Sequence, residues 1–124
     1  FSRNLNRESA LAWAQDHVCQ EIAIEGVDIG QDKDLHPIEA VFFYMPFQHS
    51  ENLEHQERSV TLYQALSEKF PSSDAARRSL ESAQYHRELV AKFGRFAHRN
   101  RILGRANTPE EQDYLNALPE GKAF

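Results

Sequence analysis

Apolar residues recur along most of this chain at steps of three and four, the spacing that gathers side chains on one face of an α-helix. Leu11, Ala14, Val18 and Ile22 make the first such stripe. With Asn6 as N-cap and Gly26 in the left-handed position past the last turn, the pattern predicts a helix over about 7–25. Trp13 lies off the stripe, in an ordinary packing role. Residues 26–36 carry glycines and aspartates without a period and read as a loop. Pro37 suits the first turn of a second helix, which runs to Met45 before Pro46 stops or kinks it.

Ser50 is the expected cap of a third helix reaching about residue 69, with Glu51 and Glu54 at its positive end. Its rows are Leu53, Val60, Ser67 and Gln56, Tyr63, Phe70, with Leu62 and Leu66 alongside. A turn at 71–73 leads to a fourth helix over 74–93, with Ala76, Leu80, Ala83, Val90 and Phe93 inward and Gly94 breaking the pattern. Residues 94–107 are irregular and basic. Thr108-Pro109-Glu110-Glu111 then supplies the cap, first-turn proline and third-position glutamate of a last helix, with Tyr114, Leu115 and Leu118 on its apolar side. The pattern predicts an all-α fold, about five helices as antiparallel hairpins, in one domain over 1–124. Periodicity alone does not make it a repeat protein, because no self-similarity occurs at the roughly 34-residue tetratricopeptide spacing.

Composition narrows the class without naming a function. A chain of 124 residues, 40% apolar and 27% charged, can bury a core without a metal or a disulfide. No run approaches the ~18 apolar residues of a membrane span, so no membrane is expected. Cys19 stands alone, which excludes a disulfide scaffold and makes a reducing cytoplasm the expected compartment. The chain opens at Phe1 with no methionine and no visible signal peptide, and reads as part of something longer.

Charge changes the picture more. The net value is −5, but residues 77–105 carry eight basic side chains against two acidic ones, inside an otherwise acidic chain. Such a segment either pairs with its own domain or faces an anionic ligand. Two stretches set charged or titratable groups between large aromatics at helix ends, 44–51 and 93–105. Aromatics draw these loops onto the core, where the polar groups between them need partners or a ligand. Glu51, His55 and Arg58 share a face of the third helix, and His86 lies one turn before Val90 on the fourth. Brought together, arginine forks suit phosphate or carboxylate, and histidine can move a proton. The alternative is a structural network in which arginines and histidines satisfy carbonyls and carboxylates.

Other chemistries find little support. His49, His55, His86 and His98 could supply metal ligands on paper, but no metal motif is present, and none is expected to bind. The acidic loop fails as a calcium site, since Lys33 stands where glycine is required. Nucleophile-elbow, P-loop and dinucleotide patterns are absent, and no cofactor is expected. Nucleic acid is an unlikely partner for an acidic chain with a pI near 5.6 and one short basic loop.

The ordered segments Phe43-Tyr44-Met45-Pro46-Phe47-Gln48-His49-Ser50-Glu51, Gln56-Glu57-Arg58-Ser59, Phe93-Gly94-Arg95-Phe96-Ala97-His98-Arg99-Asn100 and Ile102-Leu103-Gly104-Arg105 resemble the bacterial "domain of unknown function 924" family. Thr108-Pro109-Glu110-Glu111 extends the match, and the opening Phe1-Ser2-Arg3-Asn4 is similar to the end of that family's Asp-Gln-Phe-Pro-Arg-Asn signature. The resemblance implies an all-helical, tetratricopeptide-like fold and further helices ahead of Phe1. It also implies that the polar motif positions are Arg3, Asn4, His49, Glu51, Arg58, His86, Arg95, His98, Arg99 and Asn100. Ser2 and Ala97 depart from the family's prolines, which puts the aim of His98 and Arg99 in question.

Together these readings lead to two expectations. One is a polar His/Arg/Glu pocket that binds a small anionic ligand or an acidic peptide terminus. The other is a tetratricopeptide-like interaction module that receives a protein segment, with its Arg/His network purely structural. Catalysis is not assigned. Both expectations require the stretch after Pro46 and the stretch after Gly94 to lie side by side.

Overall fold

A computed structural model describes residues 9–119, and the path of the chain follows from its helix caps. Helix α1 spans Asp16–Asp28, α2 Pro37–Gln48, α3 Leu53–Lys69, α4 Asp74–Phe93, the short α5 Asn100–Leu103, and α6 Pro109–Ala117. Single 3-10 turns at Ala10–Trp13 and Ala97–Arg99 precede α1 and α5. The described residues form helices and connectors with no strand, and consecutive long helices joined by short turns pack as hairpins. This arrangement is consistent with the tetratricopeptide-like expectation.

Several ends lie where the pattern placed them. Ser73 Oγ accepts from the Ala76 N–H at 3.2 Å to cap α4, and Gly94 closes that helix at φ 74°. Thr108 and Glu111 form the reciprocal capping box of α6, at 3.1 and 3.0 Å. The second helix has a box of its own: His36 Nδ1 accepts from the Ile38 N–H, and Glu39 accepts from the His36 N–H.

The first helix begins at Asp16 rather than near residue 7 (Asn6 lies outside the described residues), the 94–107 stretch holds the short α5, and three further expectations are corrected. The first helix does not end before Gly26, which lies buried inside α1; the left-handed residue past its end is Gly30, at φ 78°. Gly26 is small for a packing reason instead. A Cβ there would stand 2.5 Å from Phe43 Cζ, so the glycine lets α2 approach. Second, Pro46 does not stop α2, which continues to Gln48. Past the proline, the buried Gln56 amide closes the end of α2: it donates to the Phe47, Gln48 and Ser50 carbonyls at 3.4, 2.7 and 2.6 Å, satisfying acceptors a helix end leaves open. Third, Asn52 rather than Ser50 caps α3, accepting from the Glu54 and His55 N–H groups. Ser50 Oγ is taken instead by the Asn52 N–H and His55 Nδ1.

The inward faces differ too. The Gln56–Tyr63 row of α3 is buried, while Leu53 is 43% exposed. Leu11, Ile22 and Ile29 lie 60%, 63% and 65% exposed, and α1 buries Ala23 and Gly26 instead. The main core joins α2, α3 and α4 through Val41, Tyr44, Tyr63, Leu66 and the small Ala76 and Ala83. Tyr44 and Tyr63 meet edge to face at 5.6 Å, and the Tyr63 hydroxyl donates to the Val41 carbonyl. A second core of Leu89, Val90 and Phe96 holds the chain after α4 against the end of that helix.

Candidate functional site

The site is built where two helix ends meet. Phe96 is fully buried, and its insertion carries the whole segment 94–105 onto the loop between α2 and α3. Glu51 on that loop accepts from the Phe96 N–H at 2.7 Å and from both Arg105 terminal nitrogens at 3.0 Å. Arg105 donates onward to Asn100 Oδ1 and to the Phe96 carbonyl. Asn100 in turn donates to Glu111, which also accepts two bonds from Arg95 at 3.0 and 2.7 Å. A chain of charge-assisted bonds thus fixes the 94–107 connector from both sides.

Electrostatics follow the same geometry. The Arg95 bonds, with those from Thr108 and Asn100, outweigh burial and hold the Glu111 carboxyl down at about 2. Burial pushes Glu51 up, but the Arg105 and Phe96 bonds more than offset it and keep the carboxyl below its ordinary range.

Held this way, the turn at Ala97–Arg99 presents its side chains to α2 and α4. His49, His86, His98 and Arg99 line one cavity of about 290 Å³, with Trp13 and Phe96 among its apolar walls. Arg99 is 6% exposed; its Nη2 donates to the His49 carbonyl at 2.9 Å. Its guanidinium carbon stands 5.3 Å from the Trp13 ring centroid and 4.7 Å from that of Phe96. The His86 ring lies 6.4 Å from His49 and 5.4 Å from Phe96. Burial pushes His98 down to about 4, helped by Arg99 and His86 and opposed by Glu51. His86 is lowered as well, again mainly by burial. Its Nδ1 stands 2.7 Å from the Ser82 carbonyl and 3.2 Å from Gln48 Nε2.

The placement of the sequence-selected residues is therefore uneven. His49, His86, His98 and Arg99 come together at the cavity. Glu51 stands behind them with Arg105, and Asn100 is buried between Arg105 and Glu111. Arg95 pairs with Glu111 and with the Ala106 carbonyl, outside the cavity lining. Arg58 pairs with Asp28 and covers the Phe47 ring at 5.4 Å, also away from the cavity. Arg3 and Asn4 lie outside the described residues.

Some participants were not singled out from sequence. Trp13, read as ordinary packing, covers Arg99 and lines the cavity. Gln48 donates to Ser82 Oγ at 2.6 Å and ties the cavity floor together. Arg105 was legible as part of the basic stretch, though not as the partner of Glu51. Among the described residues no three His, Cys, Asp or Glu side chains are grouped to hold a metal ion, and no helix is long and apolar enough to cross a membrane.

Fold and site define a helical-hairpin protein whose two loop segments and α4 line a small, open cavity with one buried arginine and three imidazoles. The chain matches the family described as "Bacterial protein of unknown function (DUF924)" over residues 1–118, and it belongs to that family. It is similar to a solved structure from Agrobacterium tumefaciens, described as a protein of unknown function, ATU0120, at 38% identity and a TM-score of 0.74. The match covers 86% of this chain and 56% of that one, so the chain spans little more than half the length of its structural relative. No curated protein matches it.

Proposed function

We propose that this chain is a cytoplasmic protein that binds a small anionic ligand, or the acidic terminus of a peptide, in the cavity between the α2–α3 loop and the Ala97–Arg99 turn. The observation that carries this reading is Arg99, a guanidinium 6% exposed at the wall of a cavity of about 290 Å³. A cation held in low dielectric strengthens its attraction for an anion that reaches it, and the aromatic rings on either side fix its direction. His49, His86 and His98 supply donors and acceptors around it, while Glu51 and Asn100 hold the turn that carries it. A calorimetric screen of small anions against the intact chain tests the reading. Saturable binding that Arg99→Gln removes supports it; a screen in which no anion binds ends it.

A second reading, a module that receives a helical protein segment, is supported by α1. Val18 and Ile22 on α1, with Ile29 just past its end, leave apolar side chains exposed beside the exposed carboxylates Glu21 and Glu25. That pairing suits an amphipathic helix with basic flanks. Binding of such a peptide that Ile22→Glu abolishes would support this reading, and indifference to the substitution would remove it.

A further inference from the structure

The cavity has a charge balance and a wall chemistry that narrow what it takes. Arg99 is its buried cation. Among the described residues, the carboxylate behind it, Glu51, is answered by the bidentate Arg105 pair, so Glu51, Arg105 and Arg99 together carry one net positive charge. Arg95 adds nothing to that balance, because Glu111 neutralises it. Arg78 also borders the cavity, but as an exposed side chain screened by solvent.

From this balance and from the Trp13, Met45 and Phe96 walls, we infer that the cavity takes one carboxylate carried on a small apolar body. The inference rests on the anion-binding reading above and names the class of anion.

Three observations favour a carboxylate over a doubly charged phosphate ester. A single net charge is matched by a single negative charge, whereas a dianion brings an excess charge into low dielectric. His86 and His98 add no charge at neutral pH, since burial holds both below their ordinary range. Finally, the walls include an indole, a thioether and a phenyl ring, which reward an apolar ligand body. Arg99 meets that carboxylate from a guanidinium already oriented by the His49 carbonyl and by stacking, so little ordering is left for binding. A volume of about 290 Å³ limits the body to the size of a small acid or the last residue of a peptide.

The test uses the intact chain and probes that share one ring but differ in charge: benzoate, benzyl alcohol and phenyl phosphate, at a mildly alkaline pH where the ester is a dianion. A short peptide ending in phenylalanine forms the fourth arm and separates a free acid from a chain terminus as the source of the carboxylate. Calorimetry should show benzoate or the peptide binding at least about tenfold tighter than both the alcohol and the phosphate ester, the scale of one matched charge pair. Arg99→Gln should bring the carboxylate down to the level of the alcohol. If that variant does not fold, the comparison among probes on the unmodified chain decides. Equal binding of alcohol and carboxylate overturns the inference. Preferential binding of phenyl phosphate overturns the class of ligand and leaves the anion reading standing. No binding by any charged probe overturns both.

Discussion

Arg99 donates from its guanidinium to the backbone carbonyl of His49 across 2.9 Å, bridging two segments fifty residues apart in the chain. The bond needs both helix ends to be shaped first: the end of α2 held by the Gln56 amide, and the turn at Ala97–Arg99 pulled inward by Phe96. The cavity is thus a product of two loops that each lean on the core, and its chemistry is tied to the stability of both.

Arg105→Ala removes the clamp on Glu51 and the donor to Asn100 and the Phe96 carbonyl. Loss of these charge-assisted bonds should cost about 1.5–3 kcal/mol in urea unfolding. Amide exchange should rise across residues 94–107 more than in α3. Uniform exchange throughout the chain would show that the connector is not held by this pair.

Glu111→Gln removes the charge that pairs with Arg95 and sets an amide N–H group against the Arg95 Nε and Asn100 donors, leaving one oxygen for the Thr108 N–H, at a side chain that is 1% exposed. The expected loss is about 2–4 kcal/mol. The native carboxyl sits at about 2 against an ordinary 4.5, so its contribution is complete above 4.5 and disappears as the pH falls toward 2. Acid unfolding curves should lose that component in the variant; superimposable curves would contradict the assignment.

His98 shifts stability in the same direction but over a higher pH window. Its folded value of about 4 lies below the ordinary 6.5, so the folded state prefers the neutral ring. Stability from this group is full above 6.5 and declines as the pH falls toward 4, then levels off. Replacing the ring in His98→Gln should flatten the pH dependence of unfolding in that window. A slope equal to that of the unsubstituted chain would place the dependence elsewhere.

Gly26→Ala adds a Cβ that meets Phe43 Cζ at 2.5 Å. Overpacking of this kind typically costs about 1–3 kcal/mol, despite alanine's better helix propensity. The double variant with Phe43→Leu should recover most of the loss. Failure of that rescue would mean that the close approach of α1 and α2 does not depend on this contact.

Ile22→Gln should leave thermal stability within about 0.5 kcal/mol, because the side chain is 63% exposed in α1. A large loss would return the sequence-predicted stripe to the core.

How far the sequence reached is clearest at the caps. Ser73, Gly94 and the Thr108/Glu111 box depend on atoms within four residues of one another, so local pattern sufficed. Gly26 misled because its environment is distant in sequence: the Phe43 ring of α2 explains it. The α1 stripe misled for a related reason. Periodicity locates a shared face, but only packing decides which face is covered.

By itself, the chain determined that it would be helical, where α4 begins and ends and α6 begins, and that its histidines and arginines cluster at two aromatic-flanked loops. Those properties are local, set by backbone sterics, capping and apolar spacing. The tertiary structure decided that His49, His86, His98 and Arg99 share a cavity while Arg58 and Arg95 pair elsewhere. An arginine's destination depends on which carboxylate or carbonyl folding brings within reach, and no spacing along the chain encodes that meeting.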